Sequence, residues 1–148
     1  MDIKELLNQD CIVLHSDLKT KKEVFENLSH VLATIGNVSD EKDYVDALMY
    51  RETLSETGLG MGIAIPHGKS SSVKKASIAF MTLSTPISDW PSLDDQPIDV
   101  VFQLAIPDDS NDLHIRMLSE LARKLIHEDV VKALRNAQTP EDVYKALL

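Results

Sequence analysis

The chain has 148 residues, with 15 Lys plus Arg against 24 Asp plus Glu, a formal charge of −9 and a single cysteine. That length suits one domain spanning residues 1–148, and a hydrophobic content of 43% argues against intrinsic disorder. The acidic balance argues against a nucleic-acid partner, which needs a basic face for its phosphates, and the lone Cys11 excludes an intramolecular disulfide and suits a reducing compartment. The longest uncharged stretches, Ala76–Ser88 and Thr57–Gly68, fall short of the ~20 residues of a membrane span, and the charged start Met1-Asp2-Ile3-Lys4-Glu5 lacks a signal-peptide core. The expectation is a soluble cytoplasmic domain without direct membrane insertion.

In chain order, Asp2–Asn8 suggests a short helix leading into a strand at Cys11–His15. Ser16-Asp17 offers side-chain oxygens to cap a helix over Lys19–Ile35, whose apolar positions Val24, Leu28, Val31, Leu32 and Ile35 recur at helical spacing before Gly36. Ser39 is placed to cap a second helix, with Tyr44, Val45, Leu48 and Met49 inward, up to about Arg51. The period then changes. Ile63–Ile65, Ala76–Leu83 and Ile98–Ile106 are short, rich in Val, Ile, Phe and Thr, and bounded by Gly, Pro, Asp or Ser, the pattern of strands. The last of these is nearly continuous in apolar character, as a strand covered on both faces should be. Helical spacing returns at Leu113–Leu125 and Glu128–Asn136, and Thr139-Pro140 opens a final helix with a cap and a proline at its first position. The fold class is α/β, a mixed β-sheet flanked by helices. A purely parallel sheet is disfavoured because no crossover helix separates Ala76–Leu83 from Ile98–Ile106.

Four of the five glycines, Gly58, Gly60, Gly62 and Gly68, fall within eleven residues, and His67 lies among them. Glycine serves where backbone must approach something closely or take positive φ, so this stretch is expected to wrap a site. His67 stands just beyond a short buried strand, held between Pro66 and Gly68 with its ring accessible; the bland alternative is a tight turn in which it merely lies. Metal binding, proton transfer and nucleophilic attack are all open to an imidazole. No His-x-x-x-His or His-Glu-x-x-His spacing supports a metal, and the surroundings favour a neutral nucleophile that carries a phosphoryl group. Such a group needs donors and positive charge. His114, in the first turn of the Leu113–Leu125 helix, and Arg51, ending the helix before the glycines, are the candidates. The competing readings are a polar residue at a solvated helix start for His114 and an exposed partner of Glu52 or Asp46 for Arg51. Leu59, Met61 and Ile63 are either partner contacts or core. His15, His30 and His127 are expected to be surface or structural, Cys11 a small buried apolar residue, and Trp90 either packed over the sheet edge, the preferred reading, or bordering the site.

The run Gly58-Leu59-Gly60-Met61-Gly62-Ile63-Ala64-Ile65-Pro66-His67-Gly68 resembles the phosphorylation-site signature of the fructose/mannitol-type enzyme IIA domains of the bacterial sugar phosphotransferase system. The segment His114-Ile115-Arg116-Met117-Leu118-Ser119-Glu120-Leu121-Ala122 is similar to that family's second His segment, and Arg51-Glu52 to its Arg-Glu pair. The resemblance implies a phosphotransferase component: a phosphocarrier whose His67 accepts a phosphoryl group from phospho-HPr and passes it to an enzyme IIB domain, with His114 and Arg51 steadying the group, and with neither cofactor nor metal. It also implies a mixed sheet flanked by helices. A nitrogen-type regulatory relative, acting by phosphorylation-dependent protein binding, would share the same His; a hydrolase or metal enzyme using His67 and His114 is a third reading.

Overall fold

A computed structural model describes residues 3–148. Twelve elements follow in order: α1 (Ile3–Leu6), β1 (Leu7–Ser16), α2 (Lys21–Thr34), α3 (Glu41–Leu54), β2 (Gly58–Gly60), β3 (Ile63–Ala64), β4 (His67–Ser70), β5 (Ser77–Ile87), β6 (Ile98–Pro107), α4 (Asn111–Leu125), α5 (Glu128–Arg135) and α6 (Pro140–Ala146). The helix expected at Asp2–Asn8 shrinks to four residues, because Leu7 already pairs with Ile78 and the strand begins there; Asp2 lies outside the described residues. Among those residues no helix is long and apolar enough to cross a membrane.

Two helix starts differ from the sequence expectation. Thr20, not Ser16-Asp17, caps α2: its Oγ1 accepts from Glu23 N at 3.1 Å while the Glu23 carboxylate accepts from Thr20 N at 3.0 Å. Ser16 is still strand, so its hydroxyl comes too early. Asp40, not Ser39, caps α3 through Asp43 N, because Ser39 is engaged with the Ser72 carbonyl through both its N–H and its hydroxyl. The Thr139 cap and Pro140 start of α6 stand as expected.

The sheet runs β1-β5-β6-β3-β2, with β4 also on β6. β5 and β6 are antiparallel, whereas β1 on β5, and β3 and β4 on β6, are parallel. The sheet is therefore mixed. Side chains alternate across it. Ile78 and Phe80 of β5 and Val100, Phe102, Leu104 and Ile106 of β6 face Met117, Leu121, Leu125, Val131, Leu134 and Val143 of the C-terminal helices. Ala64, Ala79, Met81, Val101 and Ala105 face Val24, Phe25, Leu28, Leu32, Tyr44 and Leu48 of α2 and α3. The small residues on this second face let α3 lie close to the sheet. Trp90, in the β5–β6 loop, is 1% exposed and meets Phe25 edge-on, so packing is its role, and Cys11 is buried as expected.

The edge of β6 is covered by two short strands end to end. β3 pairs with Val100–Val101, β4 with Leu104–Pro107, and between them the ladder is broken at Ile65-Pro66. Pro66 has no N–H to contribute. Ile65 N turns away to the Thr57 carbonyl at 2.9 Å, and the Pro66 carbonyl restores the ladder by accepting from Leu104 N at 2.9 Å.

Candidate functional site

His67 is the first residue after the break. It begins β4 instead of sitting in a turn, and it is 7% exposed, more enclosed than its place between Pro66 and Gly68 suggested. Its Nδ1 stands 2.9 Å from the Ile65 carbonyl, which the broken ladder has left free. A carbonyl only accepts, so Nδ1 carries the proton and Nε2 carries the lone pair. The partner of Nε2 agrees independently: the Arg51 Nε–H donates to it at 2.9 Å. Burial pushes the His67 pKa down to about 4, and the positive charge of Arg51 and the neighbouring His114 act in the same direction, against the bond to Ile65. At neutral pH the ring is uncharged, with Nδ1 donating to the Ile65 carbonyl and the Nε2 lone pair facing the Arg51 guanidinium.

Arg51 comes from the last turn of α3, where Nη1 also donates to the Ser55 carbonyl and hydroxyl, each at 3.1 Å. The competing ion pairs do not form: Asp46 takes Lys42 at 3.1 Å, and Glu52 takes Lys21 at 3.8 Å and a hydrogen bond from the Thr57 hydroxyl. Glu52 is largely buried, which raises its pKa, and it anchors the residue whose carbonyl holds Ile65 N. What brings α3 down onto the site is Gly68. A Cβ there would lie 2.8 Å from the Tyr44 ring and 3.2 Å from Leu48, so glycine alone fits, and the Tyr44 hydroxyl reaches on to the Leu104 carbonyl at 2.8 Å.

His114 lies across the site on α4, its ring centre 4.8 Å from that of His67 and tilted by 59°. Its backbone N–H is spent on the Ser110 carbonyl, so the ring, not the helix terminus, is what it offers. The His114 Nε2 is buried and has no hydrogen-bond partner among the described residues. Such an orphan is costly unless a further group satisfies it. Burial lowers the His114 pKa, helped by the positive charges of Lys69 and Arg51. Lys69 was not singled out from the sequence; two residues beyond His67 on a strand it shares that face, a signal available only once 67–70 is read as β4. A cleft of about 260 Å³ opens beside the His67 ring, bordered by Arg51, Thr57, Leu59, Ile65 and Leu118. Leu59 and Met61 are 43% and 44% exposed, whereas Ile63 is core. His30 pairs with Glu41 at the surface, His15 bonds the Ala137 carbonyl, and His127 stands at the N-cap position just before α5. Among the described residues no group of His, Cys, Asp or Glu is arranged to hold a metal ion.

The site is thus an uncharged, tautomer-fixed imidazole buried in an α/β domain, with a guanidinium on its unprotonated nitrogen. Residues 5–148 match the family described as "Phosphoenolpyruvate-dependent sugar phosphotransferase system, EIIA 2". The chain belongs to that family, and so is an EIIA-type phosphotransferase component. It is 37% identical over 143 residues to the fructose-specific EIIABC component of Bacillus subtilis, a match covering 97% of this chain and 22% of that protein. The nitrogen regulatory protein IIA-Ntr of Neisseria meningitidis superimposes with a TM-score of 0.90 at 32% identity, over 99% of each chain. The mannitol enzyme IIA of Escherichia coli, in its complex with phosphorylated enzyme IIB, gives 0.80 at 26% identity, over 96% of this chain and 98% of that one.

Proposed function

We propose that the chain is a phosphocarrier in which Nε2 of His67 accepts a phosphoryl group from the phosphohistidine of HPr and passes it to an enzyme IIB domain. In the first half-reaction the lone pair of Nε2 forms a bond to phosphorus as the nitrogen–phosphorus bond of the donor breaks; the Nδ1 proton stays on the ring, donated to the Ile65 carbonyl. The transition state is loose, with charge on three equatorial oxygens, so catalysis is mainly positioning and electrostatic stabilisation. As the group arrives, the Arg51 Nε–H exchanges the Nε2 lone pair for a phosphoryl oxygen, and the unpartnered Nε2 of His114 gains an oxygen to which it donates. The observation that carries this reading is the pair of bonds fixing the His67 ring, Nδ1 to Ile65 and Nε2 to Arg51, each at 2.9 Å. The enzyme IIB step is supported by the likeness to an enzyme IIA bound to phosphorylated IIB.

We place the carrier in a fructose-type uptake system, supported by the 37% identity to a fructose-specific component. The second reading, a regulatory protein whose binding to other proteins follows its phosphorylation state, is supported by the likeness to IIA-Ntr over the whole chain. Intact-protein mass spectrometry after incubation with phosphoenolpyruvate, enzyme I and HPr tests the common core. One acid-labile phosphoryl group on the wild type, absent from His67→Ala, is expected. Labelling that survives in His67→Ala places the acceptor elsewhere, and no labelling while HPr itself is phosphorylated leaves a fold whose work is binding. Onward transfer to the IIB domain of a fructose system then separates uptake from regulation.

A further inference from the structure

The turn joining β2 to β3 is held more tightly than a surface turn requires. Met61, at its tip, has φ +57, a left-handed conformation uncommon outside glycine, between Gly60 at φ +106 and Gly62 at φ +79. Such a backbone persists where its surroundings dictate it. Here they come from two distant parts of the chain. Asp94, in the β5–β6 loop, accepts from Met61 N at 3.0 Å, and is itself fixed by Ser92 Oγ and Gln96 N, each at 3.1 Å. Arg135, the last residue of α5, donates from Nη2 to the Met61 carbonyl at 2.6 Å while its Nε and Nη2 bind the Asp99 carboxylate at 2.8 and 2.9 Å. The two consecutive peptide groups that flank the Met61 Cα are thus each gripped, one through its N–H and the other through its carbonyl. The grip leaves no space behind it: a Cβ on Gly62 would lie 2.6 Å from Asp99 Oδ1 and 2.9 Å from Arg135 Nη2.

None of these three side chains touches His67, yet the turn they hold carries the exposed Met61 and ends β2, whose Leu59 borders the cleft beside the His67 ring. We propose that Arg135 and Asp94 are positioning residues for phosphoryl transfer: by clamping the Met61 backbone they fix the Leu59–Met61 ridge against which phospho-HPr docks. The inference rests on the phosphocarrier reading above. A ridge that is already ordered loses little freedom when the partner arrives, so the clamp acts on docking and not on the chemistry at Nε2.

The test is the steady-state rate of phosphorylation against phospho-HPr concentration for the wild type, Arg135→Ala, Arg135→Lys and Asp94→Ala, with thermal unfolding of each as a control. Arg135→Ala is expected to raise KM about five- to tenfold with kcat within about twofold, the pattern of lost uniform binding. Arg135→Lys should recover part of this, since an ammonium keeps a charge for Asp99 but cannot fork between Asp99 and the Met61 carbonyl. Asp94→Ala releases the other backbone group of Met61, its N–H, without stranding Asp99, and should raise KM in the same way if Arg135→Ala fails to fold. Unchanged KM in the folded variants, or a fall in kcat at constant KM, overturns the proposal while leaving the carrier reading intact. A wild type that is not labelled at all overturns both.

Discussion

At the scale of single residues, the proposed transfer requires His67 to be uncharged and oriented before a partner arrives. Its pKa is lowered by burial to about 4 in the folded chain, against an ordinary value near 6.5. Between those values the unfolded chain binds a proton that the folded chain refuses, so folding stability must fall as pH drops from about 6.5 to about 4, by about 3 kcal/mol from this residue alone. Above pH 6.5 both states are neutral and the contribution to pH dependence vanishes. Urea unfolding of wild type and His67→Ala at pH 7 and pH 4.5 checks this: the variant should lose less stability on acidification. Equal losses would place the His67 pKa near its unperturbed value. The identity of His67, Arg51 and His114 as candidates is legible from residue type and spacing. The tautomer is not, because the Ile65 carbonyl that sets it is freed only by pairing choices made along β6.

At the scale of elements, the decisive feature is a strand interrupted by proline and followed by glycine. Pro66 breaks the ladder and releases Ile65; Gly68 lets α3 approach until Arg51 reaches His67. Gly68→Ala pushes a methyl group to 2.8 Å from Tyr44, whose hydroxyl is tied to Leu104, so neither the ring nor the strand can move freely. Overpacking of this kind costs about 1–3 kcal/mol. The variant should show that loss in urea unfolding, together with slower phosphoryl acceptance as α3 lifts Arg51 away. Wild-type stability would mean that α3 yields without strain. The sequence placed helices and long strands well where apolar spacing is regular. It missed β2 and β4 because strands of three and four residues, rich in glycine, have no period to read. It misplaced two helix caps because several adjacent Ser, Thr and Asp residues are equally able to cap, and only the extent of β1 and the engagement of Ser39 with Ser72 select among them.

At the scale of the whole molecule, two apolar layers lie on opposite faces of one sheet, so neither can dissolve without exposing the strands that support the other. Unfolding is therefore expected as one cooperative transition. The single tryptophan, Trp90, reports the α2–α3 layer, whereas far-ultraviolet circular dichroism reports all the helices. The two urea transitions should coincide; separated midpoints would reveal independent layers and argue against a single folding unit.

The sequence by itself determined the helical segments beyond the first, the mixed character of the sheet, the glycine–proline frame around His67 and, through the resemblance of that frame, the family. These are local: each rests on residues close along the chain, where period, capping and backbone restriction act directly. The tertiary structure alone decided which nitrogen of His67 is free, that Arg51 rather than solvent meets it, that His114 faces it with an unsatisfied nitrogen, and that Arg135 grips a peptide 74 positions away. Contacts of that kind leave no local pattern, because they are fixed by how the helices pack once the sheet has chosen its order.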